Sequence, residues 1–313
     1  MSFSFFDLHC DSPTAMLDAR ERLSENSLSV NLRAAEAFDR YVQVMAIWTD
    51  RALDEEAGWL RLWEVLRYLR SDDAIQSGAA RICSHCPDAK TATAFLLAVE
   101  DCRILNRKAH RLEQLFQAGF RILTPFWSGN TCMGGSHDTE NGLSDFGRGA
   151  MKEALQMGMI PDLSHASIRS AHELMELADG EGKTVMASHS NAYEICPVSR
   201  NLQKTQIRDI LSLKGVIGIN FHVPFLSRRH TASQEDVLRH IEYFLELGCE
   251  DALCFGGDMD GAILPTDLSG LAAVPSLRDF LAGYYSEPIL NKLFFENAYH
   301  FAERNLSATA KNL

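Results

Sequence analysis

Histidine and carboxylate side chains recur in this sequence directly after short apolar segments. His9 and Asp11 follow the first segment, and Glu100 follows the third. The later segments are followed by further polar residues of this kind: His165, His189, Asn220, His222 and Asp258. Imidazole and carboxylate groups are the ligands that zinc and similar divalent ions prefer, and a carboxylate can bridge two ions about 3.5–4 Å apart. The pattern therefore predicts a site in which metal ions activate water.

Charge balance favours two ions over one. Two divalent ions bring four positive charges, which the carboxylates Asp11, Glu100 and Asp258 would neutralise together with a bridging hydroxide. A single ion would leave the same site net negative, which a partly buried site disfavours. The sequence has no GxSxG motif of a serine nucleophile, so we expect hydroxide between the ions to be the nucleophile.

These residues need a scaffold that gathers the ends of their segments. Eight short, mostly apolar segments are predicted as strands: residues 3–9, 41–47, 94–99, 120–124, 159–163, 184–188, 215–219 and 252–256. Amphipathic stretches typical of helices lie between and after them: 55–70, 104–117, 146–157, 168–178, 203–213, 234–247 and 287–304. This alternation predicts an α/β fold, the (β/α)8 TIM-like barrel, whose active site lies where the carboxyl ends of its strands converge. No GxGxxG motif follows the first strand, which disfavours a doubly wound nucleotide-binding sheet.

Size and composition agree with one barrel. The chain has 313 residues, which we interpret as a single metallohydrolase domain spanning 1–313. Its net charge of −12 disfavours binding to nucleic acid or to an anionic membrane. No apolar run is long enough to span a membrane, and the first residues lack the basic region of a signal peptide, so we expect a cytoplasmic protein.

The eight cysteines are scattered; Cys83 and Cys86 form a CxxC pair without a second pair, and we expect reduced thiols rather than a zinc site.

The polar residues lie in short motifs that resemble those of the membrane (renal) dipeptidase family of zinc peptidases, in the family's order. The motifs are Asp7-Leu8-His9-Cys10-Asp11, Val99-Glu100, Asp162-Leu163-Ser164-His165, Ser188-His189-Ser190, Ser199-Arg200-Asn201, Ile219-Asn220-Phe221 and Gly256-Gly257-Asp258-Met259-Asp260-Gly261. Each is short, but their combination is specific to this family.

The resemblance implies a binuclear zinc dipeptidase on a distorted (β/α)8 barrel. His9 and Asp11 would hold one zinc ion, and His165 and His189 the other. Glu100 would bridge the two ions, which other divalent metals could replace. The substrate would be a small dipeptide with an L residue followed by an L or a D residue, and the resemblance also suggests a homodimer.

The same resemblance assigns roles around the metal ligands. Asp258 would take a proton from the bridging water and pass it to the leaving amine. Arg200 would bind the C-terminal carboxylate of the substrate through its planar fork. Asn220 and His222 are further candidates for substrate binding.

Two positions depart from the family pattern. Trp127 stands where the family has a histidine thought to steady the tetrahedral intermediate, and an indole cannot carry positive charge. We therefore include Trp127 among the substrate-binding residues and consider His222 a candidate replacement for the histidine. Asp101 and Cys102 follow Glu100 where the family commonly has glycines. By contrast, we expect His137, in a glycine-rich loop, to be a solvated residue.

Two alternatives stay open at this point. The site could serve an amidohydrolase that acts on another small amide such as an N-acyl amino acid, because Arg200 suits any substrate with a free carboxylate. The substitution at Trp127 also fits a metal-binding homologue with reduced catalysis.

Overall fold

Parallel strands surrounded by helices form the centre of the molecule, for which the computed structural model describes residues 2–306. The strands are β1 Phe3–Cys10, β2 Phe38–Trp48, β3 Arg81–Cys83, β4 Thr93–Glu100, β5 Phe120–Thr124, β6 Ile160–Pro161, β7 Met186–Ala187, β8 Val216–Ile219 and β9 Leu253–Phe255. The helices are α1 Ser12–Ala19, α2 Leu32–Ala35, α3 Glu55–Arg70, α4 Asp73–Gln76, α5 His110–Gln117, α6 Asp145–Gln156, α7 Ile168–Gly180, α8 Lys204–Ser212, α9 Val223–Leu226, α10 Gln234–Glu246, α11 Val274–Leu281, α12 Glu287–Asn291 and α13 Asn297–Asn305.

The sheet is a nearly closed barrel. Its strands are hydrogen-bonded in the order β6-β5-β4-β2-β1-β9-β8-β7, and every pair is parallel. The two outer strands meet through one isolated bridge between Asp162 and Met186, which closes the ring. The predicted (β/α)8 fold is therefore confirmed, with all eight predicted strands present and β6 and β7 shorter than expected.

Apolar side chains from all eight barrel strands fill the interior. These are Phe6, Leu8, Val42, Val44, Ala46, Ala94, Leu96, Ala98, Ile122, Ile160, Met186, Val216 and Cys254. Alternate residues of a strand face the same side, so the next interior position lies two residues further on. On four strands that next position is polar and buried: Glu100, Thr124, Asp162 and Ser188. The interior therefore changes from apolar to polar towards the carboxyl ends, where the predicted site lies.

Several elements differ from the prediction, which did not include the helices α1, α2, α4, α9 and α11. Strand β3 was not predicted; it is three residues long and pairs with the first half of β4. The predicted helix 104–117 is wrong in its first part, because Asn106 and Arg107 have left-handed φ angles of 45° and 57° that an α-helix cannot contain. The predicted helix 287–304 is interrupted by the π-helical segment Lys292–Glu296, which packs Phe294 4.7 Å from the ring of Phe255.

The sequence also led to predictions about membrane spans, location, oligomeric state, domain extent and the CxxC pair. In residues 2–306 no helix is long and apolar enough to cross a membrane. The cytoplasmic location, the homodimer and the single domain 1–313 stay predictions, and residues 1 and 307–313 of that domain lie outside the described part. Cys83 and Cys86 are free, partly buried thiols in the described residues, and the expectation that they hold no zinc stays a prediction.

Candidate metal centre and active site

Glu100 ends strand β4 and lies between two groups of side chains at the carboxyl end of the barrel. Its Oε1 is 2.9 Å from Nε2 of His165 and 3.7 Å from Nε2 of His189. Its Oε2 is 3.5 Å from Nε2 of His9, which in turn is 3.9 Å from Oδ2 of Asp11. The structure therefore brings the five predicted ligands together around one carboxylate. We call the two groups the His165–His189 cluster and the His9–Asp11 cluster.

Hydrogen bonds fix both rings of the His165–His189 cluster. Nδ1 of His165 lies 2.9 Å from the carbonyl oxygen of Trp127, which can only accept, so Nδ1 carries the hydrogen. Nδ1 of His189 lies 2.6 Å from Oγ of Ser188, whose own hydrogen goes to Asp162 at 2.5 Å. In both rings the lone pair is consequently on Nε2, the arrangement that a metal ligand requires.

Three hydrogen-bond acceptors converge as a result. The Nε2 atoms of His165 and His189 are 3.1 Å apart, and Oε1 of Glu100 faces both. Lone pairs at this separation repel one another unless a cation or a proton lies among them. The donor set therefore fits a divalent cation with nitrogen and oxygen ligands.

The His9–Asp11 cluster is held less completely. A register shift between Asp7 and Cys10 marks a bulge at the end of β1, and such bulges redirect side chains. His9 is 1% exposed, and both its Nε2 and Oδ1 of Asp11 are buried without a hydrogen-bond partner in the described part of the chain. Buried polar atoms without partners are costly, so this cluster also fits a cation that would supply the missing partner.

The pKa shifts of their side chains separate the two clusters. Burial lowers the pKa of His9, but Glu100 and Asp11 outweigh it and raise the pKa well above its ordinary value. Burial and the neighbouring Glu100 raise the pKa of Asp11 to about 7. Burial also raises the pKa of Glu100, but His9 and His165 outweigh it and keep that pKa low. Burial lowers the pKa of both His165 and His189, which keeps these rings neutral and ready to bind a metal.

Asp162, in the barrel interior, orients residues of the site and was not singled out from the sequence. Its carboxylate accepts hydrogen bonds from Thr124 Oγ1 at 2.8 Å, from Ser188 Oγ at 2.5 Å and from the Ser188 N–H at 2.8 Å. It also lies within 4.8 Å of ligand atoms of His9 and His189. Because both its oxygens already accept hydrogen bonds, we assign it to orientation of His189 through Ser188 rather than to metal binding.

Asp258 lies beside the candidate metal ligands, after strand β9. Asn220 Nδ2 donates to its Oδ2 at 3.0 Å, and burial raises the pKa of Asp258 to about 6. The residue has a left-handed φ of 56°, and a non-glycine residue in that region costs about 1–3 kcal/mol. Asn220 uses the rest of its amide within the protein: Nδ2 also lies 3.3 Å from the His189 carbonyl, and Oδ1 accepts from the His222 N–H at 2.5 Å. These contacts make it a support for Asp258, and its contact with substrate stays a prediction.

Arg200 is buried next to the clusters, with 4% of its surface exposed. One terminal nitrogen donates to the His189 carbonyl at 3.2 Å, and the other lies 3.5 Å from Ser190 Oγ. Its Nε has no hydrogen-bond partner within residues 2–306. Phe225 packs 5.3 Å from the guanidinium carbon. A buried cation with an unused donor is a suitable site for an anion.

His222 and Trp127 lie at the rim of the site. Nδ1 of His222 accepts a hydrogen bond from the Ile263 N–H at 2.9 Å. The ring of Trp127 lies 6.5 Å from that of His165 and 5.2 Å from that of Trp48. Trp48 ends strand β2 and was missed, although it follows the predicted strand 41–47 directly; its indole nitrogen is buried without a partner in the described residues.

His137 was expected to be solvated, and the structure places it against the site instead. Its backbone N–H donates to the His165 carbonyl at 2.8 Å, and its ring Nδ1 lies 2.8 Å from Ser199 Oγ. The ring is half-buried and 6.0 Å from the ring of His165. Burial and the charge of Arg200 lower the pKa of His137 to about 4. The sequence signals only a glycine-rich loop here, not where that loop folds.

Backbone geometry explains two further positions. A Cβ atom at Gly261 would collide with Oδ2 of Asp11 and lie 2.9 Å from Oδ1 of Asp258, so only glycine permits these carboxylates to lie here. Asp101, one of the two departures from the family pattern, has a left-handed φ of 65° of the kind that glycine adopts easily. Its carboxylate accepts from the backbone N–H of Arg103 at 3.3 Å and from Nε of the same side chain at 3.0 Å, which stabilises the turn without glycine.

The fold and the site together define a class of protein: a TIM-like barrel with a cluster of side chains that could hold metal ions at the carboxyl ends of its strands. A family model described as membrane dipeptidase (Peptidase family M19) matches residues 1–311. The chain belongs to the membrane dipeptidase family, and it is a metal-dependent hydrolase that acts on peptide bonds.

The chain is similar in sequence to one curated relative and in fold to two solved structures. An uncharacterised Klebsiella pneumoniae protein from the pqqA 5′ region is 31% identical over 254 residues, 75% of this chain and 93% of that protein. The structure of the metallopeptidase dipeptidase AC shares the fold with a TM-score of 0.91 at 24% identity, covering 98% of this chain and 100% of that one. A Rhodobacter sphaeroides metallopeptidase, bound to a phosphinate mimic of L-Ala-D-Ala, has a TM-score of 0.89 at 24% identity, covering 97% and 100%.

Proposed function

We propose that this protein is a dipeptidase that uses two divalent ions, zinc being the ion that its ligands suit best. His9 and Asp11 would hold one ion and His165 and His189 the other, with Glu100 shared between them. The observation that carries the proposal is the position of Glu100, whose two oxygens face different histidines at 2.9 and 3.5 Å. A carboxylate placed in this way is suited to bridging two ions.

When bound, such ions polarise a substrate carbonyl and make a water molecule acidic enough to act as a nucleophile near neutral pH. The protein's own residues would do the rest of the chemistry. Asn220 fixes Oδ2 of Asp258, and the carboxylate lies beside His9 and Glu100, where it can accept a proton. Asp258 would then return that proton to the amine that leaves when the peptide bond breaks, as a general acid.

Arg200 would bind the C-terminal carboxylate of the substrate. Its side chain is buried, Nε has no partner within residues 2–306, and each terminal nitrogen has one contact with the loop that carries His189, which leaves a second hydrogen on each. A free carboxylate one residue from the scissile bond would therefore be required. This requirement fits dipeptides, but it also fits N-acyl amino acids, which the following experiment separates.

The test is hydrolysis by the purified, metal-loaded protein of three substrate sets: L-Xaa-L-Xaa dipeptides, L-Xaa-D-Xaa dipeptides and N-acyl amino acids. The second set is included because the Rhodobacter relative binds a mimic of L-Ala-D-Ala. We expect dipeptide turnover that falls by about 10²–10⁴-fold in Asp258→Asn, which removes the proton carrier. Metal content should be unchanged in that variant, because Asp258 is not among the proposed ligands.

Other outcomes would change the proposal in defined ways. Turnover confined to N-acyl amino acids would retain the site and replace the substrate class. Bound metal without turnover of any of the three sets would contradict the proposed dipeptidase and favour a metal-binding homologue with reduced catalysis. Glu113→Gln, on the exposed face of α5, serves as a control for a surface carboxyl and should behave as the wild type.

A further inference from the structure

The loop that joins β5 to α6 is folded tightly over the site. Isolated bridges pair Asn130 with Gly135 and Gly134 with Leu143 within the loop. A third bridge pairs Ser136 with Ala166, the residue after the metal ligand candidate His165. The loop therefore has a defined position relative to the His165–His189 cluster.

His137 is the loop's contribution to the site. Its backbone is anchored on His165 by the 2.8 Å hydrogen bond, and its ring reaches across to Ser199, the neighbour of Arg200. The imidazole thus spans the gap between a proposed metal ligand and the proposed carboxylate-binding residue. Because Ser199 occupies Nδ1, Nε2 is the ring nitrogen that can reach a substrate.

The dimensions of a dipeptide place its scissile bond in this gap. The carbonyl carbon of the scissile bond and the C-terminal carboxylate carbon are separated by three bonds, so they lie less than about 4 Å apart. A substrate whose carboxylate is on Arg200 and whose carbonyl is at the Glu100 clusters would therefore lie next to His137, which is anchored on His165 and contacts Ser199. Nε2 of His222 is also a possible donor, because its Nδ1 accepts from the Ile263 N–H, but the ring of His222 packs on Phe225 at 4.5 Å rather than on the segment of His165.

We infer that His137 is a catalytic residue, which donates a hydrogen bond from Nε2 to the carbonyl oxygen of the scissile peptide bond as negative charge develops there. Ser199 positions the ring through Nδ1. His137, rather than His222, would thus replace the histidine that the family pattern has at the position of Trp127. This inference rests on the proposed function, because it requires a substrate held between Arg200 and the clusters.

The test compares His137→Ala, His137→Gln and His222→Ala with the wild type, all metal-loaded and with melting temperatures recorded. The measurements are kcat and KM for the best dipeptide, metal content, and calorimetric affinity for a phosphinate dipeptide analogue, whose tetrahedral oxygens resemble the developing oxyanion. Loss of an oxyanion donor typically costs about 10²–10³-fold in kcat. We expect His137→Ala to lose that much kcat and a similar factor in phosphinate affinity, with KM and metal content little changed.

The two further variants decide between explanations. His137→Gln retains an N–H donor and should recover part of the loss, whereas His222→Ala should lose less phosphinate affinity than His137→Ala. Unchanged phosphinate affinity in His137→Ala, or the whole loss appearing in His222→Ala, would overturn the inference and leave the dipeptidase proposal intact. Absence of dipeptide turnover by the wild type would overturn both. If His137→Ala does not fold, His137→Gln becomes the deciding variant. A folded His137→Gln protein with an unchanged melting temperature that loses the full factor of about 10²–10³ in kcat and in phosphinate affinity would contradict hydrogen-bond donation by the side chain.

Discussion

The His165–His189 cluster and the His9–Asp11 cluster share Glu100 but are held in place by different means. In the first, each Nδ1 has a hydrogen-bond partner, Trp127 or Ser188, so both rings are oriented before any ion binds. In the second, the buried Nε2 of His9 and Oδ1 of Asp11 have no partner within residues 2–306.

This difference separates two ways to build a metal site. The His165–His189 cluster is preorganised by hydrogen bonds: His165 is held by the Trp127 carbonyl, and His189 is linked through Ser188 to Asp162 in the barrel interior. The His9–Asp11 cluster concentrates buried charge that only a cation or a proton can compensate. We therefore expect substitutions in the first cluster to act through geometry and those in the second to act through charge.

The largest effect is expected at the carboxylate that both clusters share. Glu100→Gln keeps the shape of the side chain but removes the charge that faces His9 and His165. Metal content should fall for both ions, and hydrolysis should fall by about 10³-fold or more, since metal-based stabilisation is worth several kcal/mol. Elemental analysis together with the dipeptide assay measures both. Retention of full metal content would mean that Glu100 does not bridge.

Removal of charge in the His9–Asp11 cluster should give the next largest effect. Asp11→Asn is expected to lower the affinity for one of the two ions by about 10²-fold or more. Groups that only hydrogen-bond to a metal ligand typically change metal affinity by about 10–100-fold. Calorimetric titration of the metal-free protein with zinc would show one strong and one weakened site. Equal weakening of both sites would remove the distinction between the clusters.

A smaller effect is expected in the His165–His189 cluster when its outer support is removed. Ser188→Ala breaks the link from Asp162 to Nδ1 of His189. It should lower the affinity for one ion by about 10–100-fold, the range typical when a hydrogen-bond partner of a metal ligand is removed. Ser212→Ala is the matched control, because its hydroxyl bonds to the Asp209 carbonyl on the surface of α8. An unchanged zinc affinity in Ser188→Ala would show that packing alone orients His189.

A different kind of effect, on the stability of the fold rather than on metal binding, is expected at a buried histidine that contacts the segment after His189. His240 accepts from the Ala192 N–H at 3.2 Å and lies 3.1 Å from the Leu226 carbonyl, and burial lowers its pKa to about 4. The unfolded chain takes up this proton at a higher pH than the folded one, so stability falls as pH drops from about 6.5 to about 4 and changes no further below that. The loss should approach 3 kcal/mol, or about 1.4 kcal/mol for each unit of pKa difference.

Chemical denaturation of the metal-free protein across this pH range, compared with His240→Gln, isolates that contribution from other titrating groups. The variant should be less stable at pH 7 but should lose less stability on acidification. The same slope in both proteins would show that His240 does not titrate in this way.

The sequence predicted those parts of the molecule that repeat or that end in a reactive side chain. The eight barrel strands follow from apolar segments of similar length, and the ligands follow from their place at the segment ends. Strand β3 is too short to show a pattern, and the π-helical segment depends on packing of Phe294 against Phe255, which lie far apart in the chain.

The supporting residues were harder to predict for the same reason. Asp162 and Ser188 lie in the motifs that resemble the dipeptidase family. Their role depends on hydrogen bonds between the ends of two strands, and the sequence alone does not show which strands are neighbours. His137 reaches the site through a loop whose path is set by contacts with Ala166 and Ser199. Residue type and spacing indicate the ligands, whereas tertiary contacts decide what orients them.

The most direct test of this account is the number of metal ions bound per chain after purification with zinc and removal of excess ion. Elemental analysis against protein concentration should give two zinc ions per chain in the wild type. A single ion would contradict the bridging position of Glu100, and a chain that binds none would contradict the metal centre itself.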